Sequence, residues 1–197
     1  ATALHRNPSR RLTVAGITGT DGKTTTTTML WAAWRAAGLN AASISTIDVR
    51  IGDEVQKKSS RLTTLEAPEL QAQLAELVAK GCTDLALETS SHALELHRVD
   101  GTEYALAIYT RISSEHLDLH GSWEAYLAAK RRLLSLTQAH RDSVAVFDAD
   151  DERAYPILVQ EPVSRRLTYS IAGKARADLV AVKVDVDAAG VHFVAST

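Results

Sequence analysis

The residues Thr13-Val-Ala-Gly-Ile-Thr-Gly-Thr-Asp-Gly-Lys-Thr24 join an apolar run to a glycine-rich turn that ends in Gly22-Lys23-Thr24. This set of residue types suits the capture of a polyphosphate. Glycines let backbone N–H groups crowd phosphate oxygens, and the start of a following helix adds partial positive charge. Lys23 supplies a full charge, and the adjoining threonine hydroxyl can reach a magnesium ion. The spacing departs from G-x-x-x-x-G-K-S/T, which would need glycine where the chain has Ile17; the glycines present are Gly16, Gly19 and Gly22. The turn therefore predicts a nucleoside triphosphate held by a variant loop, although such a strand-to-helix turn can also form without a ligand.

Three further groups have types suited to chemistry. Glu88 closes the apolar run Leu85-Ala-Leu-Glu88. A carboxylate at the carboxyl end of a strand is where a magnesium ligand belongs in a phosphate-binding sheet; a solvated acid at a capped strand end is the plainer alternative. Glu115, His116, Asp118 and His120 crowd metal-capable side chains into six positions, which also suits a transition-metal hydrolase. Taken singly, Asp118 and His120 read as turn or capping residues. Lys130 sits three and four residues from Tyr126, Leu127, Leu133 and Leu134, in the middle of the apolar face of a predicted helix. A lysine so placed must snorkel, pair or lose its charge; snorkelling is the common outcome, and a neutral amine able to react is the other.

These groups need a scaffold, and the patterning supplies one. Leu12–Thr18 reads as a first strand, and Met29, Leu30, Ala33, Trp34 and Ala37 stripe a helix over Thr24–Ala37 that closes at Gly38. Ala42–Ile47 reads as a second strand, followed by a hairpin-like stretch turning at Gly52-Asp53. Ala67–Lys80 is an amphipathic helix carrying Leu70, Leu74, Leu77 and Val78. Asp84–Glu88 and Tyr104–Thr110 are nearly continuous apolar runs, as strands buried on both faces are. A helix over Trp123–Thr137, a strand over Ser143–Phe147, the acidic stretch Asp148–Glu152 and a short helix follow. Arg166–Ser170, Asp178–Asp185 and Val191–Ser196 alternate apolar and polar, like antiparallel edge strands. The expected class is α/β: a mostly parallel sheet flanked by helices, with the variant phosphate loop after the first strand and an antiparallel extension at the C-terminal end.

Bulk composition narrows the partners. The 197 residues carry 22 basic and 24 acidic side chains, a formal charge of −2, which favours neither nucleic acid nor an anionic membrane. The single cysteine, Cys82, excludes an internal disulfide and a cysteine-built zinc site, and reads as a small packed residue. No apolar run reaches membrane-spanning length, and the polar, basic stretch 1–11 reads as a lead-in linker and not a signal peptide. The expected location is the cytoplasm.

The motifs Gly19–Thr25, Thr63-Thr64, Glu88-Thr-Ser-Ser-His-Ala-Leu94 with His97-Arg98-Val99, Glu115–Gly121, Glu124–Lys130 and Ala149–Glu152 occur in one order. Together they resemble the central ATPase domain of the Mur ligases, peptidoglycan-precursor enzymes, from Leu12 to about Glu152. The resemblance implies ATP and Mg²⁺ as cofactors, with Gly19, Thr20, Asp21, Gly22, Lys23, Thr24 and Thr25 around the phosphates. It implies Thr24, Glu88 and His116 near magnesium, and Lys130 as a lysine that CO₂ converts to a carbamate orienting a second magnesium. It makes Lys23, His116 and Lys130 catalytic. Thr63, Thr64, Ser90 and Arg98 match positions contacting a UDP-MurNAc-peptide, whose carboxylate takes the γ-phosphoryl of ATP before an amino acid's amine attacks.

Several residues depart from that pattern. Asp21, Arg111 and Asp148 stand where asparagines are usual, Leu65 replaces a proline, and Leu96 replaces a glutamine. On this resemblance residues 12–197 form a central ATP-binding domain, incomplete at its C-terminal end, without the UDP-binding N-terminal and amino-acid-binding C-terminal domains. Such a chain is expected to bind Mg-ATP without completing ligation alone. A non-catalytic interaction module on a ligase-derived scaffold is the competing expectation.

Overall fold

The computed structural model describes the chain except residues 1, 3, 59–61, 114–116, 175 and 189. Among the described residues ten strands form one sheet: β1 (Thr13–Thr18), β2 (Ala41–Ile44), β3 (Asp48–Ile51), β4 (Glu54–Lys57), β5 (Asp84–Glu88), β6 (Leu106–Tyr109), β7 (Val144–Asp148), β8 (Arg165–Ser170), β9 (Leu179–Asp187) and β10 (Gly190–Ser196). The described residues also form the helices α1 (Lys23–Ala36), α2 (Ala67–Ala79), α3 (Ser91–Glu95), α4 (Leu117–His120), α5 (Trp123–Thr137) and α6 (Tyr155–Leu158). Pro8–Arg11, within the stretch expected to be a linker, forms a 3₁₀ turn that buries Pro8 and Ser9.

The strand order is β10-β9-β8-β7-β6-β1-β5-β2-β3-β4. β1 is central and pairs in parallel with both β5 and β6. The chain leaves β1 to one side and returns on the other, so the crevice beyond its carboxyl end is a topological switch point, where α/β sheets bind ligands. The register sets Ile17 beside Glu88 and Thr18 beside Tyr109. The phosphate loop, Glu88 and Thr110 therefore leave the sheet at one level.

Alternation along β1 explains the layers. Ala15 and Ile17, with Ala86 of β5, face Leu30, Trp31 and Trp34 of α1. Val14 on the opposite face joins the larger core, to which α2 contributes Leu70, Leu74 and Leu77 and α5 contributes Tyr126, Leu127, Leu133 and Leu134. Gly16 faces that side too, where an added Cβ would lie 2.7 Å from Tyr104 and 2.8 Å from Leu133. The stripe expected on α1 holds at Leu30 and Trp34 and is corrected at Met29, Ala33 and Ala37, which are exposed. Met29 is 67% exposed, and Trp31 packs in its stead.

The antiparallel extension is the β9–β10 hairpin. It starts later than alternation implies, because β8 runs parallel to β7 and β9 begins parallel to β8. Alternation reports which face is wet and carries no record of a neighbour's direction. Cys82 is buried, and among the described residues no helix is long and apolar enough to cross a membrane.

Candidate phosphate-loop active site

α1 begins at Lys23 behind Gly22, whose φ of 78° places it in the left-handed region that favours glycine. Gly19 is under tighter constraint. Its φ is 148°, and a Cβ there would fall 1.7 Å from the Thr110 hydroxyl. That hydroxyl donates to the carbonyls of Asp21 at 2.7 Å and Thr18 at 3.2 Å, clasping the loop from the next strand's exit. Thr20, 4% exposed, accepts from the Ser113 N–H at 2.9 Å and shares a bond with the Tyr126 hydroxyl at 3.2 Å. The loop is thus braced from β6 and from α5 before any ligand arrives.

Both lysines singled out by the sequence meet this loop. Lys23 Nζ donates to the Thr20 carbonyl at 2.6 Å, and Lys130 Nζ to the Gly19 carbonyl at 2.7 Å. Lys130 does not snorkel: it is 1% exposed, and its ammonium lies 4.3 Å from the centre of the Tyr126 ring. The threonine run of α1 fits the same frame. Thr24 donates to Glu88 Oε2 at 2.9 Å, and buried Thr27 bonds back to the Lys23 carbonyl at 2.8 Å. Thr25 is exposed on the first turn, as is Asp21 on the loop.

Glu88 is 1% exposed, so its carboxylate needs partners. Besides Thr24, it accepts the Thr46 N–H at 2.8 Å and the Thr46 hydroxyl at 3.0 Å. A hydroxyl and a carboxylate oxygen side by side at the start of α1 are the hard oxygen donors that magnesium takes. His116, the other expected ligand, lies outside the described residues, as does Glu115. Among the described residues no three His, Cys, Asp or Glu side chains gather as a metal-holding group. Asp118 is exposed on α4, and His120 bonds Ser91 at 3.2 Å while its ring leans on Tyr126.

A cavity of about 250 Å³ opens beside the loop. Gly19, Lys23 and Lys130 line it together with a wall of Thr63, Ser90 and Arg98. Thr64 is buried behind this wall. Its hydroxyl donates to the Glu88 carbonyl at 2.9 Å and accepts the Ser90 N–H at 3.1 Å. Ser90 also caps α3 by accepting from the Ala93 N–H, and Arg98 is oriented by Glu66 at 2.9 Å. The structure therefore brings together every described residue expected around phosphate, magnesium and acceptor, with Thr64 as a support and Thr25 at the margin.

Residues the sequence reading did not single out complete the arrangement. Lys58 and Thr110 act on main-chain carbonyls and Thr46 on the Glu88 carboxylate, partners brought near only by folding, which leaves no periodic or motif signal. Asp151 does lie in the acidic stretch. It accepts the Ile112 N–H at 2.8 Å and the Ala154 N–H at 2.9 Å, tying the exit of β6 to the turn after β7. Asp148 beside it has its pKa raised, by burial first and then by the charges of Asp150 and Asp151.

This site and fold define a class. A family model described as the Mur ligase middle domain matches residues 17–197, and the chain belongs to that family. Within it, the chain is 37% identical to UDP-N-acetylmuramyl-tripeptide synthetase of Roseiflexus sp. (strain RS-1), across 100% of this chain and 40% of the relative. It is 41% identical to the synthetase of the same name from Deinococcus radiodurans, across 98% of this chain and 38% of the relative. A solved UDP-N-acetylmuramoyl-L-alanyl-D-glutamate–2,6-diaminopimelate ligase superposes with a TM-score of 0.80 at 32% identity, covering 93% of this chain and 37% of that one. The Thermotoga maritima MurF ligase solved with ADP shares the fold, with a TM-score of 0.67 at 20% identity over 98% of this chain and 41% of that one. The chain thus spans about two-fifths of the length of the curated relatives, 40% and 38%.

Proposed function

We propose that this chain is the nucleotide-binding core of an ATP-dependent acid–amino-acid ligase of peptidoglycan precursor synthesis, working in the cytoplasm on a UDP-MurNAc-peptide. One observation carries the reading: the phosphate loop with Lys23 and Lys130, and the wall of Thr63, Ser90 and Arg98, line one and the same cavity. An acceptor carboxylate held by that wall would lie against the terminal phosphoryl of a nucleotide held by the loop. Proximity of this kind is the larger part of phosphoryl-transfer catalysis, where positioning and charge neutralisation do most of the chemistry.

In this reading the chain's own groups have distinct tasks. Backbone amides from Gly19 to Thr24 and the start of α1 hold phosphate oxygens. Lys23 exchanges its Thr20 carbonyl for a phosphate oxygen and neutralises charge on the transferred group. Thr24 and Glu88 would hold magnesium, with His116 as a further ligand. The metal, when bound, polarises the phosphoryl oxygens. Lys130 would first give up one proton from its ammonium; the neutral amine nitrogen would then bond to the carbon of CO₂ and release a second proton, turning a cation into a carbamate whose oxygens would hold a second magnesium. The acceptor oxygen takes the γ-phosphoryl as ADP leaves, and an amino acid's amine then displaces phosphate.

Calorimetry with a non-hydrolysable ATP analogue and magnesium tests the first half. The chain is expected to bind the analogue, and Lys23→Ala to remove detectable binding. Equal affinity in the two proteins would favour a non-catalytic interaction module.

A further inference from the structure

The wall of Thr63, Ser90 and Arg98 has a support that belongs to none of the sequence motifs. Lys58, partly buried just past the end of β4, donates from Nζ to the carbonyls of Ser45 at 3.0 Å, Leu62 at 2.7 Å and Thr63 at 3.1 Å. An ammonium has three N–H donors, so this set uses all of them. Leu62 and Thr63 line the cavity, and the next residue, Thr64, is the one bonded to the Glu88 carbonyl and to Ser90. Ser45 precedes Thr46, whose N–H and hydroxyl hold the Glu88 carboxylate. One side chain therefore ties the cavity wall to the segment that positions Glu88.

Burial lowers the Lys58 pKa, and the negative charges of Glu88 and Glu69 act against that shift. A lysine needed only for solubility would extend its ammonium into water. This one spends its charge on three main-chain oxygens of two loops.

We propose that Lys58 is a positioning residue for the acceptor substrate, setting Thr63 at the distance from Ser90 and Arg98 that the sugar-peptide requires. The inference rests on the ligase reading and adds to it a residue acting through Leu62 and Thr63 without touching the nucleotide. Loss of the three bonds frees the wall to relax, while Thr110, Thr20 and Tyr126 still brace the phosphate loop.

The test is steady-state kinetics on the complete ligase of which this chain would be the core, using UDP-N-acetylmuramoyl-L-alanyl-D-glutamate as acceptor. Lys58→Met, which keeps the stem and removes the donors, is expected to raise the acceptor KM about tenfold, the scale of one charge-assisted hydrogen bond. The KM for MgATP should stay within about twofold, which also reports that the domain has folded. Lys58→Arg, with donors retained, should recover most of the loss. An unchanged acceptor KM, or equal rises in both constants, overturns the proposal and leaves the ligase reading standing. No turnover of any UDP-MurNAc-peptide by the unaltered protein, with MgATP binding intact, overturns the ligase reading and this proposal with it.

Discussion

The Thr24 hydroxyl donates to Oε2 of Glu88 across 2.9 Å, although the two residues are separated by most of α1, three strands and α2. The pairing follows from register, because β5 lies beside β1 and sets Glu88 next to Ile17, just before the loop. A carboxylate held on that side by Thr24 and on the other by Thr46 has a fixed direction before any cation arrives.

Removing that carboxylate should separate the metal from the nucleotide. Glu88→Ala is expected to weaken the magnesium-bound ATP analogue roughly tenfold to a hundredfold, about 1.5–3 kcal/mol for a charge-assisted contact. Binding of the analogue in excess EDTA should change by less than about twofold. Calorimetry with and without magnesium reads both values; equal losses would mean that Glu88 shapes the loop and not a metal position.

The clasp at Gly19 predicts a different failure. Gly19→Ala sets a methyl 1.7 Å from the Thr110 hydroxyl at a φ of 148°. Backbone strain of this kind costs about 1–3 kcal/mol, and the steric overlap adds to it. Denaturant unfolding should register the loss, together with weaker analogue binding. Thr110→Ala in the same chain is expected to restore part of the stability and none of the strain at residue 19. A fully stable Gly19→Ala protein would show that the loop tolerates a different path.

Much of this site was legible in the sequence, for reasons that particular residues make clear. Leu85-Ala-Leu-Glu88 announced a buried strand ending in an acid because burial on both faces leaves a continuous apolar run. Lys130 stood out because the apolar period of α5 runs through it, and the structure buries it on that face. Lys58 gave no such signal, since its partners are carbonyls, which every residue has. Thr110 was hidden for the same reason, and Thr46 because its partner, the Glu88 carboxylate, is met only through the pairing of β2 with β5. Met29, Ala33 and Ala37 were misassigned because two adjacent stripes were available on α1, and the sheet takes the one with Leu30, Trp31 and Trp34, whose larger side chains cover Ala15 and Ile17. The direction of β8 depends on how the chain returns after α6, which residue alternation does not encode.

Asp150 gives the turn after β8 a dependence on pH. Burial works against its ionisation, but the Ser170 hydroxyl at 2.7 Å and the N–H groups of Ala172 at 2.9 Å and Ile171 at 2.6 Å outweigh it and hold its pKa below the ordinary value. A lowered folded pKa means that the unfolded chain takes up the proton first as pH falls. The stability from Asp150 is therefore complete above the unfolded value, about 3.9, and is lost as pH drops through the folded one. Urea unfolding of Asp150→Asn beside the unaltered protein should show a constant difference between about pH 5 and 7 that shrinks below about 4. A difference independent of pH down to the acid transition would assign the effect to packing.

Lys130 supplies the sharpest chemical test, because its two possible states make opposite contacts. As an ammonium it donates to the Gly19 carbonyl at 2.7 Å and rests on the Tyr126 ring, and a cation there repels magnesium. As a carbamate it would carry negative oxygens into the same cavity and attract the metal, so magnesium and nucleotide should favour the modified state by linkage. Carbon-13 spectra in labelled bicarbonate are expected to show a carbamate resonance when magnesium and the ATP analogue are present, weaker when they are withheld and missing in Lys130→Met. The carbamate is lost on acidification, so the measurement belongs near neutral pH. A metal-replete protein without that resonance would leave Lys130 as an ammonium tied to the loop. In that case Lys130→Met should cost about 1–3 kcal/mol of folding stability through the orphaned Gly19 carbonyl, and magnesium affinity should not fall.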